Sequence, residues 1–191
     1  MERILYIVGL LTLCVALPAF PQPLRFTQEK IRIEVREDSY RLDGSYVFEN
    51  SGPAPVQRSL FYPMSPTSTP PESLVVEDPD SRKQIAFVQG EQGFSFSLTV
   101  SPYRSQELRV VFVQRAPRHR LEYILRSTRE WGRPLERAKY SVHIPPSCKL
   151  LHLSLHPDKI VQDADGTLYS VLRENFMPRQ NLIVKWGRST P

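Results

Sequence analysis

The sequence predicts an all-β fold: an antiparallel β-sandwich, immunoglobulin-like or jelly-roll-like, behind a short N-terminal signal helix. Three observations carry this. Hydrophobic residues recur at every second position in short runs along most of the chain. Helix-period patterns are scarce, while 18 prolines against 8 glycines divide the runs. Short strands at this density, without helices between them, pack as antiparallel sheets face to face.

The N-terminus comes first. Met1-Glu2-Arg3, the uncharged run Ile4–Leu17 and Pro18-Ala19-Phe20-Pro21 follow the order of a secretory signal peptide. Residues 1–19 are the expected signal, and the mature protein is expected to begin near Phe20. The expected location is secreted or periplasmic. The alternatives are a membrane anchor, because Ile4–Phe20 sits at the short limit of a span, and lipidation at Cys14, where Leu13 is bulky for that signal. Residues 20–191 are read as a single β-sandwich domain, with a second reading that divides the chain near Pro117.

Along the mature chain, Ile31, Ile33 and Val35 alternate with charged residues. Tyr40, Leu42, Gly44, Tyr46 and Phe48 form the next run, closed by the turn Asn50-Ser51-Gly52-Pro53. Val56–Tyr62 is a third strand, followed by the proline- and serine-rich loop Pro63–Pro71. Leu74–Glu77 and Gln84–Val88 flank the turn Asp78-Pro79-Asp80-Ser81. Phe94, Phe96, Leu98 and Val100 share one face, with Ser95, Ser97 and Thr99 on the other. Leu108, Val110 and Phe112, then Leu121, Tyr123 and Leu125, then Tyr140, Val142 and Ile144 continue the pattern. Leu151, Leu153 and Leu155 alternate with His152, Ser154 and His156. Asp163–Gly166 turns into Leu168–Leu172, and Leu182, Val184 and Trp186 form the last strand. Ser127–Arg137 lacks alternation and reads as a loop or a single helical turn.

The net charge is +5. Arg115, Arg118, Arg120, Arg126, Arg129, Arg133 and Arg137 crowd together with His119 and Lys139, interspersed with Glu122, Glu130 and Glu136. A solvated face explains such a run better than a dedicated anion site. Trp131 sits among these charges. An indole there is expected to fold back over a sheet edge and pin the loop, with an arginine stacked on it. The sharper reading makes Arg126, Arg129, Trp131 and Arg133 a binding face.

Catalytic signatures are scarce. The chain has no Gly-rich phosphate loop, no nucleophile elbow, no H-E-x-x-H helix and no paired-cysteine metal site. Cys148 reads as a buried small hydrophobe. His143, His152 and His156 are expected on one polar sheet face. Two residues four apart on a strand lie about 13 Å apart, too far to share a metal ion. Asp163-Ala164-Asp165-Gly166 is explained by a turn rather than a calcium loop.

Three segments resemble a family of bacterial secreted and periplasmic β-rich domains of unknown function. They are Tyr46-Val47-Phe48-Glu49-Asn50-Ser51-Gly52 before Leu60-Phe61-Tyr62-Pro63, then Phe96–Val100 leading into Glu107–Gln114, then Tyr123-Ile124-Leu125-Arg126-Ser127 with Trp131, Pro134-Leu135 and the strand Tyr140–Ile144 ending at Pro145. The closing Asn175-Phe176-Met177-Pro178 is similar too. The order is F-x-N, Y-x-L-x-T/S, W, P-L. The resemblance implies a β-rich extracytoplasmic fold and brings no catalytic residues. Ser101-Pro102-Tyr103 departs from it, standing where a glycine turn is expected.

The functional expectation is a non-catalytic binding or interaction protein, an accessory component of a cell-surface assembly. Its partner would be an unidentified protein or cell-envelope component. No cofactor, metal or nucleic acid is expected, and the arginines would make only weak anionic surface contacts. The alternative is a ligand- or carbohydrate-binding module using Tyr and Trp platforms.

Overall fold

In the computed structural model, which describes residues 23–66 and 69–189, alternation in sequence becomes alternation in burial. The expected signal segment, with Cys14, lies outside the described residues. The chain begins with β1 (Leu24–Val35), β2 (Ser39–Asn50), β3 (Val56–Pro63), β4 (Ser73–Asp78) and β5 (Lys83–Gln84). It continues with β6 (Phe87–Gly90), β7 (Gly93–Val100), β8 (Arg104–Arg115) and β9 (Arg120–Tyr123). A 3-10 turn (Arg126–Trp131) precedes β10 (Leu135–Ile144), β11 (Cys148–Leu153), β12 (Lys159–Asp163), β13 (Gly166–Phe176) and β14 (Leu182–Arg188).

One layer is an eight-stranded sheet in the order β12-β13-β10-β1-β2-β8-β4-β5. The inward faces of β1, β2, β8 and β10 are buried and contribute Ile31, Leu42, Val110 and Val142 to the core. Two three-stranded sheets, β3-β7-β6 and β11-β14-β9, complete the fold. Their apolar faces join the same core, through Phe94, Phe96 and Leu98 from one and Leu121, Val184 and Trp186 from the other. Strands from both sides of Pro117 meet in the large sheet, where β1 pairs with β10.

That pairing corrects the antiparallel expectation. β1 and β10 run parallel, with Ile31 opposite Tyr140 and Ile33 opposite Val142, so the large sheet is mixed. Period-two alternation is the same for both strand senses, so the sequence pattern does not distinguish them.

Two local devices set up the centre of the molecule. A β-bulge shifts the β1/β2 register between Phe26 and Gln28. Buried positions therefore change parity, from Leu24 and Phe26 to Glu29, Ile31 and Ile33. Gly44 supplies the second: a Cβ there would collide with the Tyr46 ring, so glycine lets that ring lie flat along β2.

The Asn of the F-x-N segment closes the β2–β3 end. Asn50 is fully buried, and its amide donates to the carbonyls of Ala54 at 2.8 Å, Val100 at 3.1 Å and Ser101 at 3.2 Å. Its Oδ1 accepts from the Gly52 N–H at 2.9 Å. Ser101-Pro102-Tyr103 reverses the chain without glycine because Tyr103 takes a positive φ of 54°. It joins strands of different sheets and forms no hairpin.

Other expectations change in detail. The stretch read as one strand, Gln84–Val88, divides between β5 in the large sheet and β6 in a small one. A register shift between Leu150 and His152 turns Leu151 outward, to 58% exposure, and ends the expected Leu151–Leu155 alternation. His143 lies on β10 of the large sheet and His152 on β11 of a small one, and β11 stops at Leu153 before His156, so the three histidines do not share the one polar face expected of them. The turn after Asp163 forms with Ala164-Asp165 at its tip: Asp163 Oδ1 accepts from the Asp165 N–H at 2.9 Å, and Gly166, which opens β13 opposite Asp163, takes a positive φ of 134°. Cys148 is buried and carries no disulfide.

Candidate functional site

The inward position that bulge parity gives to β1 is filled by a carboxylic acid. Glu29 is buried among residues of the core. Tyr140 on β10 donates to its Oε1 at 2.6 Å, and Tyr123 on β9 donates to its Oε2 at 2.8 Å. The Tyr46 hydroxyl, from β2, lies 3.1 Å from that of Tyr123 and 2.9 Å from that of Tyr62 on β3. Four tyrosines from four strands thus converge on one acid, and they bridge the large sheet to both small sheets.

Burial dominates the electrostatics. Desolvation pushes the Glu29 carboxyl up to about 7, against the opposing pull of the Tyr140 and Tyr123 hydrogen bonds. The same desolvation, reinforced by the acid, raises the Tyr123, Tyr46 and Tyr62 hydroxyls above the ordinary tyrosine value, so they stay protonated at neutral pH. By contrast, Asp43 on the outer face of β2 is held low, first by its hydrogen bond to Arg109. Arg109 Nη2 lies 2.7 Å from it.

Glu29 and three of the tyrosines form the inner end of a pocket of about 90 Å³. Its lining comes from β1, β2, β3, β7, β8, β9 and the segment after β9. Phe26, Phe48, Leu60 and Trp131 supply its apolar walls, with Phe61 (57% exposed) and the exposed Glu130 also lining it.

Trp131 has a place in this site. Its indole is half-buried, with ring centroids 5.9 Å from Phe26 and 5.5 Å from Phe48. The expected fold-back of the loop over the sheet is what the geometry shows. The stacked arginine is Arg58 of β3, whose guanidinium carbon lies 4.7 Å from the ring centroid, rather than a neighbour in sequence. Arg126, Arg129 and Arg133 are all exposed. Arg133 joins Arg25, Arg58 and Trp131 along a groove on the outer side of the indole, whereas Arg126 and Arg129 line neither this groove nor the pocket. The rest of the basic run disperses. Arg115 pairs with Glu72 and Arg120 with Glu122, while Arg137 and Lys139 lie beside Lys30 on the outer face of the large sheet.

Sequence reasoning placed Tyr46, Tyr62, Tyr123 and Tyr140 in strands but missed Glu29. The available signal was its parity with Ile31, Ile33 and Val35, which puts an acid on the apolar face. Among the described residues no group of His, Cys, Asp and Glu is arranged to hold a metal ion.

No family model and no curated protein matches this sequence. Solved structures do share the fold. A protein of Legionella pneumophila, named a "putative nutrient binding protein", is 13% identical with a TM-score of 0.71. The match covers 87% of this chain and 68% of that one. The M1 zinc metallopeptidase of Deinococcus radiodurans is 12% identical with a TM-score of 0.51, over 86% of this chain and 42% of its own. The chain therefore spans less than half of that peptidase, and at these identities the likeness is one of fold.

Proposed function

We propose that this chain is an extracytoplasmic, non-catalytic binding protein that takes a small molecule into the pocket between its β layers. The observation that carries the reading is the Glu29 carboxyl at the inner end of an aromatic-walled pocket. Small-molecule sites are concave and mostly apolar, with a few convergent polar groups. A buried carboxyl costs stability, and an apolar residue of similar size would pack there more favourably. A group kept at that cost is a candidate for recognition. The name of the Legionella protein belongs to the same class of function. The non-catalytic part rests on what surrounds Glu29: tyrosines hold it, and the other acid of the pocket, Glu130, is exposed. The extracytoplasmic part rests on the order of residues 1–21, and N-terminal sequencing of the exported protein, expected to begin near Phe20, tests it.

The carbohydrate-platform reading is less favoured, because Trp131 packs on Phe26 and Phe48 and carries Arg58 on its ring. A protein partner in a cell-envelope assembly is the second reading. It is favoured by β12, an edge strand exposed along its length, with Ile160 at 58%.

Titration with small branched organic molecules, followed by the Trp131 indole and Leu60 methyl resonances, tests the pocket. Shifts confined to pocket residues, and abolished by Ser127→Phe at a half-buried lining position, are expected. Binding that ignores Ser127→Phe would place the ligand elsewhere.

A further inference from the structure

Hydrogen-bond accounting at the inner end of the pocket restricts what can bind there, given the pocket-binding reading above. A tyrosine hydroxyl has one proton to donate. With Glu29 ionised, Tyr140 and Tyr123 each spend theirs on it. Tyr123 therefore has none for Tyr46, so across their 3.1 Å contact Tyr46 is the donor. Tyr46 then has none for Tyr62, so Tyr62 donates across the 2.9 Å contact. The protons of all four hydroxyls run one way, toward the carboxylate. What the cluster still offers the pocket is acceptor lone pairs, on the Glu29 carboxylate and the phenol oxygens.

The rest of the lining agrees in sign. Its charged residues are Glu29 and Glu130, with no Lys, Arg or His among them. Its walls are aromatic, and ring faces attract cations. The volume of about 90 Å³ holds an apolar body of roughly six heavy atoms. We infer that the pocket selects a small organic cation, a protonated amine on a compact apolar body, whose N–H groups meet the Glu29 carboxylate and the tyrosine oxygens. A ligand carboxylate would bring acceptors to acceptors and a second negative charge to a desolvated one.

The proton on Glu29 competes with the ligand. The groups facing the acid are Tyr140 from β10, Tyr123 from β9, Tyr46 from β2 beyond Tyr123, Tyr62 from β3 beyond Tyr46, and the exposed Glu130 at the pocket. The tyrosines stay neutral near pH 7, so Glu29 carries the titration. Cation binding strengthens as pH rises through about 7.

Three probes with similar branched bodies separate the possibilities: isopentylamine, isopentanol and isovalerate, titrated into the whole mature protein. Isopentylamine is expected to shift the Trp131 indole and Leu60 methyl signals. It should bind about tenfold or more tightly than isopentanol at pH 8, a difference of about 1.4 kcal/mol. Its affinity should fall about tenfold per pH unit below 7. Isovalerate should not bind. Glu29→Gln should abolish the preference for the amine over the alcohol. Isopentanol or isovalerate binding as tightly as the amine, or amine binding indifferent to Glu29→Gln, overturns the cation inference and leaves the pocket reading standing. If none of the three moves a pocket signal in wild type, the pocket reading falls and the inference falls with it.

Discussion

Tyr123 and Glu29 are 94 residues apart in the chain and 2.8 Å apart in the fold, joined by a hydrogen bond from β9 of a small sheet to β1 of the large one. That bond crosses the interior at the place where an all-apolar core would have none. It ties the second layer to the first and sets the inner end of the pocket.

The titration of Glu29 gives stability a measurable pH slope. Its folded value of about 7 lies above the ordinary 4.5, so between these values the folded state holds more protons than the unfolded state. Stability therefore falls as pH rises through that window. The loss should approach about 3 kcal/mol by pH 8. Asp43, held low by Arg109, acts in the opposite sense and only near or below its ordinary 3.8. Denaturant melts from pH 5 to 8 are expected to show the decline in wild type and a flattened profile in Glu29→Gln. Equal slopes would mean that another group is responsible.

Trp131 is expected to behave as an anchor. Trp131→Ala removes an indole packed on Phe26 and Phe48 and should lower stability by about 3 kcal/mol. Arg58→Ala, which removes the guanidinium from the ring, should cost about 1 kcal/mol or less. Thermal melting of both variants checks the order. A midpoint unchanged in Trp131→Ala would return Trp131, with Arg133 beside it, to the role of a binding face.

The strand β7 offers a control on core packing. Phe96 is buried and Ser97 exposed on adjacent positions. Phe96→Ala should cost about 3–5 kcal/mol and Ser97→Ala within about 0.5 kcal/mol. Matched denaturation curves should separate the two clearly, and equal losses would contradict the register of β7 against β3.

The β class and most strand faces were legible in the sequence, because side-chain alternation is a local property. Phe94, Phe96, Leu98 and Val100 are buried as their spacing requires, as are Leu121 and Tyr123 or Leu182, Val184 and Trp186. Turn chemistry was equally local at Asp78, which accepts from the Ser81 hydroxyl at 2.7 Å, and at Asp163. Irregularities broke the local rule. The bulge after Phe26 changed the parity of β1, and the register shift after Leu150 exposed Leu151. Both depend on how a partner strand pairs, which no single strand records.

By itself, the sequence determined which residues alternate, where the chain turns, and that Trp131 lies in a charged loop needing an apolar seat. Only the tertiary structure decided that β1 and β10 run parallel, that Arg58 and not Arg129 or Arg133 lies on the indole, and that Glu29 meets Tyr123 and Tyr140. The physical reason is range. Alternation is set by the backbone from one residue to the next, whereas strand order, parallel sense and the convergence of Glu29 with Tyr46, Tyr62, Tyr123 and Tyr140 come from pairings between distant segments that exist once the layers close.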